Sequence, residues 1–416
     1  MQVKMLIALC VVACGLRLGY AALDLPVPPQ DTADYDELAL NVLGGEGYVS
    51  HDNWYGFPMR SWRPPAYPLF LAAIYATWGY SHVAVQVIQA LLGAFTVALL
   101  FFIVRRMYKP AAWPAAITAA LYEPLISVCS EVMSESLFTF LVLLALWALE
   151  DERRRWHVWA LGGLAIGLAA LTRPVGLLFL PALGLCVLLN GVRTDGRRLV
   201  WAALAAAAVV APWTVRNYVV HDALVPISTH GGFIVARSNA LEPAWRQERG
   251  WGIERAVFEA MPTEVERDRF WWQQGRSFIA AHPGVYIRLV FERLLRFFYF
   301  FRPSYNIAFA IVLPFALIGL WRYGRSRADC LPSVFIGVST LVFCTLLYGS
   351  TRFRLPMEPL FIAYAAVYLT HAWSRWSPRR WRAVVGGSLL LNGCVWLVQD
   401  QLRMAVLGGL GAMGLK

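Results

Sequence analysis

Apolar residues along this chain recur in long runs separated by short polar connections. The runs are Met5–Ala22, Val83–Val104, Ala111–Cys129, Val132–Leu149, His157–Leu171, Val175–Leu189, Leu199–Trp213, Ile307–Trp321, Leu331–Leu347, Pro359–Ala372 and Ala383–Val398. A bilayer-spanning helix needs about 20 apolar residues, so this pattern predicts an all-α polytopic membrane protein with about 11 spans, several short enough to be tilted or broken at their ends. The boundary at Cys129–Met133 is the least defined, because Ser130 and Glu131 interrupt a nearly continuous apolar stretch. Two segments are too polar to span, 23–82 and 218–304. Within the second, Pro262–Ala281 and Pro283–Phe298 read as helices opened by a first-turn proline. The latter mixes Arg288, Glu292, Arg293 and Arg296 with Leu289, Val290, Leu294, Leu295 and Phe297, as a helix lying along a membrane surface does. The expected organisation is one transmembrane domain over 1–416, with outer loops at 23–82 and 218–304 carrying short amphipathic helices, and no soluble C-terminal domain.

Charge orients the spans. Alternating them places five connections on one side: Arg105 to Lys109, Arg153–Arg155, Arg193 with Arg197 and Arg198, Arg322 with Arg325 and Arg327, and Arg375 with Arg379, Arg380 and Arg382. All five are basic, as cytoplasmic loops facing an anionic leaflet are. The 37 Lys and Arg against 26 Asp and Glu would suggest nucleic acid in a soluble protein. With 58% hydrophobic and 15% charged residues, the excess belongs to membrane topology, and no nucleic-acid motif is present. The seven cysteines lie in or beside apolar runs without CxxC spacing and read as small hydrophobes. Val11–Cys14 resembles a lipoprotein cleavage box, although a retained first span is the simpler reading.

The opposite, outer side collects the chemistry. The stretch from Asp31 to Tyr67 carries Asp31, Asp34, Asp36, Glu37, Glu46 and Asp52, then Arg60 and Arg63 before Pro64-Pro65. On a helix, Asp31, Asp34 and Tyr35 share a face. Two readings stand for Asp31, a helix N-cap or a general base able to take a proton from an incoming hydroxyl. Arg63 is either an interfacial arginine reaching headgroups or a side chain aimed by the prolines behind it. Glu135 follows Ser134 at the outer end of a span, where a carboxylate is either functional or paired with a base such as Arg173. Arg352 and Arg354, one residue apart in a short outer loop, run against the charge bias, and phosphate is the anion that guanidinium binds bidentately. Ser228 to Gly232, with His230, and Asn239 add hydroxyl, imidazole and amide groups.

In order, Asp31…Tyr35…Glu37…Ala39, Gly44-Gly45-Glu46-Gly47-Tyr48, Arg63-Pro64-Pro65-Ala66-Tyr67-Pro68, Ser134-Glu135, Leu171-Thr172-Arg173-Pro174, Ala211-Pro212-Trp213 with Arg216-Asn217, and Arg352-Phe353-Arg354-Leu355-Pro356 resemble the polyprenyl-phosphate-sugar-dependent glycosyltransferases of the GT-C superfamily. The likeness is to family 39 and its bacterial aminoarabinose-transferase-like relatives. It implies a GT-C fold and an inverting transfer from a polyprenyl-phosphate-sugar donor to a lipid, glycan or protein acceptor. It also implies an integral membrane protein of the bacterial inner membrane with its site on the periplasmic face. Asp31 falls at the position of the base, Arg63 at that of the residue meeting the donor phosphate, and Arg352 and Arg354 suit the same role. Asp34, Tyr35, Glu37, Tyr67, Glu135, Arg173 and His230 complete the candidate donor and acceptor contacts. Some relatives keep a metal-binding acid before the basic residue. Trp62 stands there in this chain, so no metal ligand is assigned and a divalent cation stays open.

Two other classes compete. A transporter or flippase predicts ionisable residues near mid-membrane and similarity between halves; apart from Arg17 and the Glu131–Glu135 region the spans are poor in such groups. A surface-polysaccharide polymerase or ligase would share the outer arginines and a lipid-linked substrate.

Overall fold

The computed structural model describes residues 2–23, 31–51, 57–150, 155–190, 192–241, 260–261, 263–298, 306–324, 330–399 and 401. Asp52, Arg153, Arg154, Pro262, Arg325 and Arg327 lie outside the described residues, as do 242–259, 299–305 and 402–416. The described chain is helical: α1 (Gln2–Ala21), α2 (Asp31–Leu43), α3 (Ala66–Trp78), α4 (His82–Met107), α5 (Ala112–Leu121), α6 (Glu123–Ser127), α7 (Glu135–Leu149), α8 (Trp156–Thr172), α9 (Phe179–Asn190), α10 (Val192–His221), α11 (Gly231–Ser238), α12 (Glu264–Ala281), α13 (Pro283–Phe298), α14 (Ile307–Tyr323), α15 (Cys330–Thr345), α16 (Thr351–Arg354), α17 (Glu358–Arg375) and α18 (Pro378–Leu397).

Local signals explain many of the ends. Ser81 caps α4, whose last turn carries Arg105 and Arg106 against the helix dipole. Asn306 caps α14 and Ser377 caps α18 in the same way. The helix expected from Pro262 begins at Glu264 instead, because Thr263 and Glu266 form a reciprocal capping box. The expected span Ala111–Cys129 is divided at Tyr122, which takes an extended backbone ahead of Pro124 in the first turn of α6. The run from Val175 starts as a tight turn at Pro174–Leu178 before α9. Among the described residues, three helices suffice by length and composition to cross a membrane, Gln2–Ala21, His82–Met107 and Gly196–His221, and six shorter apolar helices join them. One of these, α3, is hidden in the sequence by the polar loop around it.

Packing inside the bundle follows membrane rules, with small residues where backbones approach. A Cβ on Gly163 of α8 would stand 2.3 Å from the Ala202 carbonyl oxygen of α10. The principal core is built from α4, α5, α7, α8, α9, α14, α15 and α17. Arg17, the one charge inside the first apolar run, is fully buried and donates to the carbonyls of Ala13 (2.8 Å) and Ala119 (3.5 Å). Arg293 of α13 is likewise buried and donates to Thr345 O at 2.6 Å, to Asn239 Oδ1 at 2.8 Å and to Ser238 O. It thereby caps the C-terminal ends of α15 and α11 together.

Candidate active site

Helix α2 presents two faces. Tyr35, Leu38 and Ala39 are buried at i, i+3 and i+4 spacing. Tyr35 meets Tyr67 of α3 edge-on at 5.0 Å, and the Tyr67 hydroxyl donates to Gln89 of α4 at 3.0 Å. Gln89 donates in turn to Glu131 O at 2.7 Å, and Thr32 to Val132 O at 3.3 Å, so α2 is seated against the connection preceding α7. The adjoining face carries Asp31 and Asp34.

Six charged residues from five parts of the chain converge there. Arg63 Nη2 donates to Asp31 Oδ1 at 2.6 Å and to Asp34 Oδ2 at 2.7 Å, and Arg63 Nε reaches the same Asp34 oxygen at 3.0 Å. Arg352 Nη1 donates to Asp31 Oδ2 at 2.6 Å while its Nε donates to Glu135. Arg173 completes the chain with a 2.8 Å ion pair to Glu135, which is 2% exposed. Asp31 is thus gripped by two guanidiniums that lie 32 and 321 residues away. Arg63 also lies over the Tyr35 ring, 5.5 Å from its centre.

Electrostatics follow from this geometry. Burial alone would raise the Asp31 carboxyl, but Arg63 and Arg352 together hold it well below the usual carboxylate range. Asp34 shares one guanidinium with Asp31 and is raised, because burial outweighs the help from Arg63. Arg63 and Arg352 are both raised in spite of burial, by the carboxylates they face. His230 is pushed down to about 3 by burial and by Arg63, and is therefore neutral.

The remaining expected residues sit around this core in different ways. Tyr35 and Tyr67 form its aromatic wall. Glu37 faces away, accepting from Ser50 Oγ at 2.6 Å and from the His51 amide at 2.5 Å, and so holds the 44–51 turn onto α2. Asp36 accepts from Tyr75 and Tyr80 and contacts His82 at 2.7 Å, joining α2 to α3 and the start of α4. His230 packs on Trp62, 4.3 Å between ring centres, behind the Arg63 loop. Arg354 does not join the cluster. It is fully buried, donates to Glu358 Oε1 at 2.7 Å and to Phe297 O, and lies 3.5 Å over the Phe309 ring. The reason is local: Thr351–Arg354 is a helical turn, and residues two apart on a helix point to different sides.

A cation has little room in this donor set. Asp31, Asp34 and Glu135 are each matched by a guanidinium, which a divalent ion would have to displace. Among the described residues no group of three or more His, Cys, Asp or Glu side chains could hold a metal ion. Glu264 carries no local sequence signal of a role here, yet its buried carboxylate grips the Arg60–Ser61 backbone, 203 and 204 residues away.

The sequence profile of the dolichyl-phosphate-mannose-protein mannosyltransferase family matches residues 62–215. No curated protein sequence matches the chain. Among solved structures, ArnT from Cupriavidus metallidurans bound to undecaprenyl phosphate superposes with a TM-score of 0.59 at 16% identity, over 94% of this chain and 62% of that one. The archaeal oligosaccharyltransferase AglB from Archaeoglobus fulgidus, in complex with an inhibitory peptide and a dolichol-phosphate, gives 0.58 at 13% identity, over 96% and 56%. The chain therefore spans less than two thirds of either relative. It has the GT-C fold that these glycosyltransferases share, and within that fold residues 62–215 match the dolichyl-phosphate-mannose-protein mannosyltransferase family.

Proposed function

We propose that this protein is an inverting glycosyltransferase that moves a hexosyl or pentosyl group from a polyprenyl-phosphate-sugar donor to a hydroxyl-bearing acceptor. Arg63 and Arg352 hold the donor phosphate and Asp31 is the general base. The observation that carries this reading is the convergence of Arg63 and Arg352 on the two oxygens of one carboxylate, at 2.6 Å each. Two fixed guanidiniums presenting N–H groups side by side suit a phosphate as well as they suit a carboxylate. The solved relatives support the donor class, since one holds undecaprenyl phosphate and the other a dolichol-phosphate.

The roles follow from the chemistry. The acceptor oxygen attacks the anomeric carbon, the bond from that carbon to the phosphate oxygen breaks, and the electron pair leaves with the polyprenyl phosphate. Arg63 and Arg352 stabilise the charge growing on that phosphate. The acceptor proton passes to Asp31. While Asp31 is tied to both arginines it is a poor base, so the phosphate that takes over the guanidiniums also frees the carboxylate. Glu135 and Arg173 keep Arg352 in place, and Asp34 keeps Arg63 in place. Charge alternation favours the outer face of the membrane as the side of action, and the resemblance to aminoarabinose-transferase-like enzymes implies that this membrane is a bacterial inner membrane. A transporter finds less support, because this ionic cluster lies at helix ends and in connections rather than at mid-span.

The test is a transfer assay in membranes with a panel of undecaprenyl-phosphate sugars, wild type against Asp31→Asn. Label is expected to reach a new acceptor with wild type alone. A folded wild-type protein that consumes no donor in an acceptor-bearing membrane refutes the reading.

A further inference from the structure

Behind Arg63 lies a second buried network that the transfer chemistry does not use. Glu264, the first residue of α12, is 8% exposed. Its Oε1 accepts the Arg60 amide, and its Oε2 accepts the Ser61 amide at 3.1 Å and the Thr229 hydroxyl at 2.8 Å. The Thr229 amide returns a bond to Ser61 O at 2.9 Å. From α10, Arg216 donates to Arg60 O at 2.8 Å and Asn217 accepts from Ser61 Oγ at 2.9 Å. From the other side, the Tyr48 hydroxyl donates to Arg63 O at 3.0 Å.

Between Arg60 and Arg63, five backbone polar groups are thus bound by side or main chains from α10, the Thr229 connection, α12 and the 44–51 turn. Two successive amides aimed at one carboxylate form a small anion-binding concavity, and here the anion is built in. A buried charge stays in place only when such bonds satisfy it. The result is a stretch whose main chain is anchored, with the guanidinium of Arg63 projecting toward Asp31 and Asp34.

We infer that Glu264 is a positioning residue, which fixes the donor-phosphate arginine Arg63 by gripping the backbone two and three residues before it. This rests on the transferase reading for what Arg63 binds, and on the geometry alone for what Glu264 does to Arg63. It gives the long outer segment a function, since the segment supplies the carboxylate that sets the phosphate site from behind.

The test uses the full-length protein in detergent or nanodiscs, wild type against Glu264→Gln. The amide keeps one acceptor oxygen and turns an N–H group toward the second donor. Donor KM is expected to rise roughly tenfold, with kcat within about threefold and acceptor KM unchanged, and binding of polyprenyl phosphate should weaken in parallel. Independently of any donor, labelling of Arg63 by phenylglyoxal, followed by mass spectrometry, should speed up several-fold while Arg352 labelling stays at the wild-type rate. If Glu264→Gln does not fold, Glu264→Asp, which keeps the charge and shortens its reach, carries the same measurements. Wild-type Arg63 labelling in a folded variant overturns the inference, as does a uniform fall in kcat and melting temperature at unchanged donor KM. A wild-type protein that binds no polyprenyl phosphate removes the transferase reading, and the Arg63 labelling then decides for or against the clamp by itself.

Discussion

Replacing Asp31 by asparagine should abolish transfer and tighten the binding of polyprenyl phosphate. The two effects come from one geometry. Asp31 occupies Arg63 and Arg352 through two hydrogen bonds of 2.6 Å, and an incoming phosphate has to take those N–H groups over. A charge-assisted hydrogen bond contributes on the order of 1.5–3 kcal/mol, and a neutral one about half as much. The asparagine side chain keeps one neutral acceptor and loses the charge. The side chains of Asp31 and Arg352 are 22% and 38% exposed, so solvent screening reduces the difference further. What remains is about 1–2 kcal/mol in favour of the phosphate, or roughly five- to thirtyfold tighter binding. Titration of undecaprenyl phosphate into the purified protein, followed by calorimetry or by retention of labelled lipid, measures this directly. Combining Asp31→Asn with Arg352→Ala should erase most of the gain, because only one guanidinium is then left to release. A variant that binds the lipid no better than wild type, or binds it worse, refutes the exchange. The carboxylate would then be organising the arginines rather than competing for them.

Arg352→Ala should raise donor KM by an order of magnitude or more, whereas Arg354→Ala should chiefly lower the melting temperature. Removing Arg354 leaves the buried Glu358 without its cation, a loss on the order of 3–5 kcal/mol, and thermal unfolding set beside donor titrations separates the two arginines. Asp268 of α12 accepts from the Gly232 amide, yet burial pushes its carboxyl from 3.8 up to about 6. A raised carboxyl favours the fold while protonated, so the stability of the α11–α12 pair is full below about pH 4 and falls as pH rises through 6. Hydrogen exchange across α11 and α12 should record that decline in wild type and little of it in Asp268→Asn.

Much of the architecture was legible in the linear pattern because the bilayer imposes its constraint locally. Every spanning helix must be apolar along its own length and satisfy its own backbone, so hydropathy marks it without reference to any partner. The basic connections are local in the same sense. They sorted Asp31, Arg63, Glu135, Arg173 and Arg352 onto one side, and the structure brings those five into one ionic cluster. Apart from Glu135 with Arg173, offered by the sequence as one of two readings and formed at 2.8 Å, pairing was not legible, since it depends on how helices distant in the chain pack and turn. Nothing near Asp31 announces that its carboxylate is held by an arginine 321 residues away, or that Glu264 grips a loop more than 200 residues before it. Arg352 and Arg354 look equivalent in the sequence. A single helical turn sends one into the cluster and the other into the bundle. The sequence by itself determined a polytopic helical body with its acids and arginines gathered at one end. Which of those charges meet was decided by tertiary packing, because charge pairing acts over a few ångströms in space and carries no fixed spacing along the chain.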